Sequence, residues 1–222
     1  EQKTVTAKNR ADGTTKDYAY DKSMLAPGGV AIKPKIEGID LPGVFTIRDV
    51  DETIAIKKFL DEKKAKKAAV IGGGFIGIEM AENFHEVGLD VTLVEAAPQV
   101  MGPFDFEMAC ILHNHLREKG VDLRLNSALT AIKQKESKLE LTLGDGTVEV
   151  DLVLLGIGVK PNTELAAKAG LELGSTGGIK TNEYMQTSDP DIYASGDAVE
   201  VTHKVTGKPA LIALAGNANK QA

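Results

Sequence analysis

The stretch that decides the fold reads Val70-Ile71-Gly72-Gly73-Gly74-Phe75-Ile76-Gly77. Four apolar residues, Ala68 to Ile71, predict a buried strand before the glycines, and the residues up to Val87 predict a helix after them. Glycines at positions 72, 74 and 77 have the G-x-G-x-x-G spacing of dinucleotide-binding loops. In such a loop the first glycine permits a tight turn, the second lets backbone approach a pyrophosphate, and the third allows close helix–strand packing. The helix N-terminus adds free N–H groups and partial positive charge for the phosphates.

Glu95 supports this prediction, because it ends the next apolar strand, which begins at Val91. It lies about 20 residues past the glycines, where a carboxylate accepts hydrogen bonds from the adenosine ribose and repels a 2′-phosphate. No Lys or Arg stands between Ala96 and Asp105 to bind such a phosphate. We therefore expect NAD(H) rather than NADP(H). The alternative is a structural glycine loop with an acid placed by chance.

The elements around the loop predict an α/β fold with a parallel sheet. Strands alternate with helices in a βαβαβ pattern from residue 68 to 125, and three short alternating strands then predict an antiparallel meander. A Pro- and Gly-rich crossing over 27–43 is typical of a linker between packed units. The predicted helices are 51–64, the part of 72–87 after the glycines, 105–119 and 164–169. The predicted strands are 4–7, 17–20, 68–71, 91–95, 121–125, 128–133, 138–143, 147–150, 151–155 and 192–194.

Composition excludes several classes of function. The 26 Lys and Arg against 32 Asp and Glu give a net charge of −6, so we expect no nucleic-acid partner. No apolar run approaches the roughly 20 residues that span a bilayer, so we expect no membrane partner. The one cysteine, Cys110, fits a cytoplasmic location, and its apolar surroundings in a predicted helix indicate an inert thiol. His113 and His115 point to different faces of that helix, so we expect no metal site.

Three segments together resemble the FAD-dependent pyridine nucleotide–disulfide oxidoreductase family: Val70–Glu79, Gly156–Asn162 and Thr187–Asp197. Within that family the chain is most similar to coenzyme A-disulfide reductases, NADH oxidases and NADH peroxidases. The resemblance implies FAD and NAD(H) as cofactors, a small-molecule disulfide, peroxide or oxygen as substrate, and a homodimeric parent enzyme.

The same resemblance implies a domain arrangement. A Rossmann-like NAD(H)-binding domain, residues 33–150, would be inserted into an FAD-binding domain, of which residues 1–32 and 151–222 would be parts. The family's first FAD-binding glycine loop, its catalytic cysteine and its C-terminal interface domain have no counterpart here. We therefore expect a central fragment of a longer enzyme, inactive alone, with no catalytic residue in this chain.

The resemblance also assigns site residues. One set would hold NADH: Gly72, Gly73, Gly74, Phe75, Ile76, Gly77 and Glu95. Phe75 would be an aromatic gate over the nicotinamide, or alternatively a packing residue. Glu79 matches an acid near the nicotinamide and flavin, although a carboxylate near a helix start is also favourable by itself.

Three further residues, Gly156, Ile157 and Gly158, would line the nicotinamide side through their backbone. Asp197 would bind the ribityl chain of FAD, and Ala215 would begin a helix facing the flavin's pyrimidine edge.

Two functional alternatives stay open beside disulfide reduction. The parent could reduce oxygen or peroxide, as an NADH oxidase or peroxidase does, or it could be a non-catalytic dinucleotide-binding module. A flavin-free dehydrogenase would need a catalytic His, Tyr or Lys over the nicotinamide, and the sequence offers no such candidate.

Overall fold

The computed structural model describes residues 3–222. Its strands are β1 (Thr4–Lys8), β2 (Thr15–Ala19), β3 (Ser23–Leu25), β4 (Gly29–Ala31), β5 (Val44–Phe45), β6 (Lys67–Ile71), β7 (Asp90–Val94), β8 (Asp122–Arg124), β9 (Leu129–Lys135), β10 (Lys138–Leu143), β11 (Gly146–Val150), β12 (Leu152–Leu155), β13 (Val159–Pro161), β14 (Ile179–Lys180), β15 (Ile192–Ala194), β16 (Val199–Thr202) and β17 (Pro209–Ala210). Its helices are α1 (Val50–Lys63), α2 (Phe75–Glu86), α3 (Phe106–Glu118), α4 (Glu164–Lys168), α5 (Ala215–Gln221) and a 3-10 turn over Gly196–Ala198. The predicted α/β class is confirmed.

The chain divides into two compact units. Residues Ala31–Val159 form the unit that we call the sheet unit, and the described residues up to Val30 together with Lys160–Ala222 form the flanking unit. Residues 1 and 2, which the sequence assigned to the first FAD-domain segment, lie outside the described residues.

The sheet unit is built on a five-stranded parallel sheet in the order β5-β12-β6-β7-β8. Both faces are covered, so β6, β7 and β12 are mostly apolar, as expected for a parallel sheet. In β6, Ala68 and Val70 face a core that contains residues of α1, α2 and α3, while Ala69 and Ile71 face a second core. The second core is closed by the antiparallel meander β11-β10-β9, whose Leu139, Leu141 and Leu143 point inward at every second position.

The boundary of the sheet unit differs from the prediction. The sequence placed residues 151 onward outside the domain, but β12 lies inside the parallel sheet, between β5 and β6. Its four residues are all buried, because one face contacts the helices and the other contacts the meander. The unit therefore extends to Val159 instead of ending at residue 150.

The flanking unit has shorter elements. The strands β1 and β2 form an exposed hairpin, β3 pairs in parallel with β15, and β14, β16 and β17 form a small sheet. Its core gathers small and β-branched residues from α4 and the strands, including Ala166, Ile179, Ala194 and Val199. This core lies beneath the 3-10 turn that carries Asp197, because Ala198 in that turn belongs to it.

Candidate dinucleotide site

The predicted loop and acid meet at one edge of the parallel sheet. The loop Gly72–Gly77 follows β6, Glu95 follows β7, and Gly156–Gly158 follows β12, and these three strands are direct neighbours. Since neighbouring parallel strands end at the same edge, all three segments lie there together. Ligands of open α/β sheets bind in the crevice at that carboxyl edge.

The glycine loop is tightly packed on two sides and open on a third. Gly72 has φ 105°, and a Cβ there would lie 2.5 Å from the carbonyl oxygen of Gly156. A Cβ on Gly77 would lie 1.8 Å from the carbonyl oxygen of Gly72, so helix and loop touch through bare backbone. A Cβ on Gly74 would meet nothing within 4 Å. The loop thus has the three glycine environments that pyrophosphate binding requires.

The start of α2 is free to bind an anion. Gly74 precedes the helix with extended backbone, and among residues 3–222 no side chain caps the helix end. The N–H groups of the first turn therefore need an outside acceptor, and the helix dipole favours a negative one. A pyrophosphate supplies such oxygens at this position.

Glu95 is fixed against the glycine loop. Its Oε2 accepts a hydrogen bond from the Gly73 N–H at 2.6 Å, and its Oε1 accepts one from the Ala97 N–H at 2.8 Å. A carboxylate has about four acceptor positions, so two lone pairs stay available for ribose hydroxyls. The carboxylate is thereby oriented before any ligand arrives.

The segment after Glu95 packs back onto the glycines, a contact that the sequence analysis missed. The Met101 N–H donates to the Gly73 carbonyl oxygen at 2.7 Å, and a Cβ on Gly73 would lie 2.8 Å from Val100 Cγ1. The Val100 N–H in turn donates to His113 Nε2 on α3 at 3.1 Å. Neither His113 nor Val100 belongs to a sequence motif. The only sequence signal for their contact is the short distance along the chain between Glu95 and the start of α3.

The remaining predicted residues of the sheet unit lie around this edge. Phe75 opens α2 with 52% of its surface exposed, and Ile76 next to it is half-buried. Glu79 is exposed on the second turn of α2. The Gly156 N–H donates to the Ile71 carbonyl oxygen at 2.7 Å, and Gly158 has φ 115°.

Asp197 and Ala215 lie in the flanking unit. Asp197 is half-buried in the 3-10 turn after β15, and no hydrogen bond to its carboxylate is made within residues 3–222. Ala215 is the first residue of α5, as predicted, and Gln221 at the end of that helix accepts from the Gly196 N–H at 2.8 Å. The turn and α5 are therefore tied together, with the Asp197 carboxylate open to a polyol hydroxyl.

Other reactive groups form no second centre in the part of the chain that is described. Cys110 is a free, half-buried thiol in the middle of α3. His113 is buried and His115 is exposed, as expected for residues on different faces. Within residues 3–222 no cluster of three His, Cys, Asp or Glu side chains could hold a metal ion, and no helix is long and apolar enough to cross a bilayer.

Comparisons with known proteins identify relatives and solved structures that are similar to this chain. An NADH oxidase of Methanocaldococcus jannaschii is 45% identical over 202 residues, which cover 90% of this chain and 45% of that protein. A CoA-dependent NAD(P)H sulfur oxidoreductase of Pyrococcus furiosus is 39% identical over 212 residues, covering 95% of this chain and 48% of that protein. The structure of reduced Bacillus anthracis CoADR-RHD has a TM-score of 0.95 at 46% identity, covering 99% of this chain and 40% of that one.

The chain spans about half the length of the curated relatives it matches. All 222 residues match one family model, described as pyridine nucleotide-disulphide oxidoreductase, whose members are FAD- and NAD(P)H-dependent enzymes. The chain therefore belongs to the pyridine nucleotide–disulphide oxidoreductase family.

Proposed function

We propose that the sheet unit binds NADH and that the whole protein passes hydride from NADH to FAD and then to a disulfide such as coenzyme A disulfide. The pyrophosphate would lie over Gly74 and the start of α2, and Glu95 would accept the adenosine ribose hydroxyls. FAD supplies the electron chemistry when bound, and Asp197 would hold its ribityl hydroxyls. The flanking unit thus contributes part of the flavin site.

One observation carries this proposal. Glu95 and the open face at Gly74 are joined by the hydrogen bond from the Gly73 N–H, so the ribose acceptor and the pyrophosphate cradle form one rigid group. An acidic residue with no role in binding has no reason to have both carboxylate oxygens held by backbone N–H groups, as Gly73 and Ala97 hold those of Glu95. This arrangement suits a dinucleotide with a free ribose 2′-hydroxyl.

The predicted positions of Phe75, Glu79 and Gly156–Gly158 fit the nicotinamide end of the same ligand. Phe75 is exposed beside the loop Gly72–Gly77, where its aromatic ring would cover the nicotinamide. Gly158, with its left-handed backbone, lets the chain pass close to a planar ring without a side chain between them.

A second function is favoured by one specific comparison. The relative in Methanocaldococcus jannaschii is named an NADH oxidase, so oxygen or peroxide is the alternative final acceptor. The two alternatives share NADH and FAD and differ only after the flavin. Assays of the intact protein with coenzyme A disulfide, oxygen and hydrogen peroxide separate them, because only one acceptor should sustain rapid NADH oxidation. NADH binding with no turnover of any acceptor would favour the non-catalytic module.

Calorimetric titration of this chain with NADH, NADPH and FAD tests the binding part. We expect NADH to bind at least about tenfold more tightly than NADPH, since a 2′-phosphate would meet the Glu95 carboxylate. Tight FAD binding would show that the flanking unit suffices for a flavin site. Absence of NADH binding at micromolar protein would overturn the proposal.

Glu95→Ala combined with Ala96→Arg is the sharper test of nucleotide choice. The exchange removes the ribose acceptor and adds a guanidinium, which pairs well with phosphate. We expect the ratio of NADPH to NADH affinity to rise at least about tenfold, as measured by fluorescence titration. Ala96→Arg with Glu95 retained is the matched control, and an unchanged ratio in the double variant would contradict the assigned role of Glu95.

A further inference from the structure

His113 is a buried titratable group that the proposed function does not use. It lies on α3, its side chain is 4% exposed, and its Nε2 accepts the N–H of Val100 at 3.1 Å. An accepting Nε2 means that the imidazole is neutral, with its proton on Nδ1. The ring of Phe106 packs against it, edge to face, at 6.4 Å between centroids.

The hydrogen bond from Val100 fixes one end of the segment that we call the post-β7 loop, residues 95–101. The other end is held by the N–H groups of Ser127 and Asn126, which donate to the carbonyl oxygens of Glu95 and Ala97. That loop begins with Glu95 and ends with Met101, whose N–H donates to the Gly73 carbonyl oxygen. Val100 itself is fully buried and touches the position of Gly73. A continuous chain of contacts therefore runs from His113 through Val100 and Met101 to Gly73, and from Gly73 back to Glu95.

We propose that His113 is a positioning residue for the dinucleotide site: while its imidazole is neutral it holds the Val100–Met101 end of the post-β7 loop against Gly73, the donor to the Glu95 carboxylate, and it releases that end when it is protonated. A protonated imidazole has two N–H donors and no acceptor. The Val100 N–H would then face another donor in a dry environment, and a buried N–H without an acceptor is unfavourable. The Val100–Met101 end of the loop must shift to recover a partner, and the Gly73 backbone, which Met101 and the Glu95 carboxylate both contact, shifts with it.

The surroundings of His113 favour the neutral form. Burial lowers the pKa of His113 below its usual 6.5, and the positive charge of Arg117, one turn further along α3, lowers it more. The post-β7 loop contributes the Val100 backbone and the start of α3 contributes the Phe106 ring, and neither group carries a charge. Loss of the hydrogen bond is therefore expected only in acid, as the pH falls below 6.5.

The inference rests on the proposed NADH binding, and the experiment compares four forms of the chain. They are the parent, His113→Gln, His113→Leu and the control His115→Gln. The glutamine keeps an acceptor near the place of Nε2 and does not titrate, the leucine removes the acceptor, and His115 lies exposed on the same helix. The dissociation constant for NADH is measured by fluorescence from pH 8 to pH 5.

We expect the parent and His115→Gln to lose affinity as the pH falls below 6.5 through the lowered pKa of His113, and His113→Gln to stay flat over the same range. At pH 8, His113→Leu should bind NADH about 2- to 10-fold more weakly, as the loss of one hydrogen bond predicts. Identical pH profiles for the parent and His113→Gln would overturn the proposal. So would unchanged affinity in His113→Leu.

A readout without nucleotide separates this inference from the proposed function. In NMR titrations of the free chain, the Val100 amide should shift with the same midpoint as the His113 ring, and the shift should vanish in His113→Gln. A Val100 amide that does not respond would overturn the positioning role even if NADH binds. If NADH fails to bind the parent at pH 8, the proposed function is wrong. The amide titration alone then decides whether His113 positions the post-β7 loop.

Discussion

Gly74 and Gly77 belong to one motif but meet opposite surroundings. An added Cβ on Gly74 points into open space, and Gly74 has an ordinary φ of −81°. We therefore expect Gly74→Ala to cost less than about 1 kcal/mol of stability, the usual penalty for alanine at an N-cap. The methyl group would stand where the pyrophosphate approaches, so the affinity for NADH should fall about tenfold or more.

Gly77→Ala, unlike Gly74→Ala, should mainly lower stability. Its Cβ would overlap the Gly72 carbonyl oxygen, so α2 must move away from β6. We expect a loss of about 1–3 kcal/mol in the free energy of unfolding, the usual size for overpacking. Urea denaturation and NADH titration of both variants separate the two roles. Gly102→Ala, with open space around it and no left-handed backbone, is the control, and full NADH affinity in Gly74→Ala would refute the assigned phosphate contact.

At the scale of elements, the pattern of apolar residues predicted most of the sheet unit. The strands over 68–71 and 91–95 and the helix over 105–119 appear within a residue or two of their expected bounds, because a parallel strand and an amphipathic helix each bury a periodic face. The membership of β12 was not predictable in the same way. Its apolar run 151–155 fits any doubly buried strand, and which sheet it joins depends on contacts with β5 and β6 that lie far away in sequence.

The same difference between local patterns and contacts that are distant in sequence applies to the candidate site. Glu95 was found because its distance from the glycines is set by one βαβ unit, a local property of the chain. The role of His113 depends on how α3 is rotated and placed against the post-β7 loop. Side-chain spacing indicated only that His113 and His115 face different ways. Short strands such as β14 and β17 were missed for a related reason, since two residues are too few to show a periodic pattern.

Glu200 holds the loop that precedes β14, and its ionisation predicts an effect of pH on stability. Its carboxylate on β16 accepts the Thr176 N–H and the Thr176 hydroxyl, both at 2.7 Å. The backbone hydrogen bond is the main reason why the pKa of Glu200 is lowered from its usual 4.5, and the Thr176 hydroxyl adds to it. Because the folded pKa is depressed, this stabilisation is complete above pH 4.5 and is lost as the pH falls through the lowered value.

We expect Glu200→Gln to be less stable than the parent by about 1 kcal/mol at pH 7, since hydrogen bonds to a partly exposed charge contribute modestly. The difference should shrink as the pH is lowered from 5 to 3, as measured by urea denaturation. Glu183→Gln, at an exposed loop position, should show no such change. A constant difference at every pH would mean that the packing of the side chain matters rather than its charge.

At the scale of the whole molecule, the two units have separate cores and carry the residues proposed for two different ligands, NADH and FAD. The glycine loop, Glu95 and Gly156–Gly158 belong to the sheet unit, while Asp197 and Ala215 belong to the flanking unit. Each unit can therefore be tested for its own ligand. The sheet unit should respond to NADH, and the flanking unit should respond to FAD around the Asp197 turn.

Hydrogen exchange with mass spectrometry checks this division. A ligand at 100 times its dissociation constant stabilises the state that binds it by about 2.7 kcal/mol, which slows exchange through unfolding about 100-fold. With NADH we expect slowing in peptides from β6, β7 and α2, and no change in peptides from residues 160–222. Gly74→Ala at the same NADH concentration should show much less protection. Equal slowing in both units would instead mean that they unfold as one cooperative body, because protection would then spread to residues that no part of NADH touches.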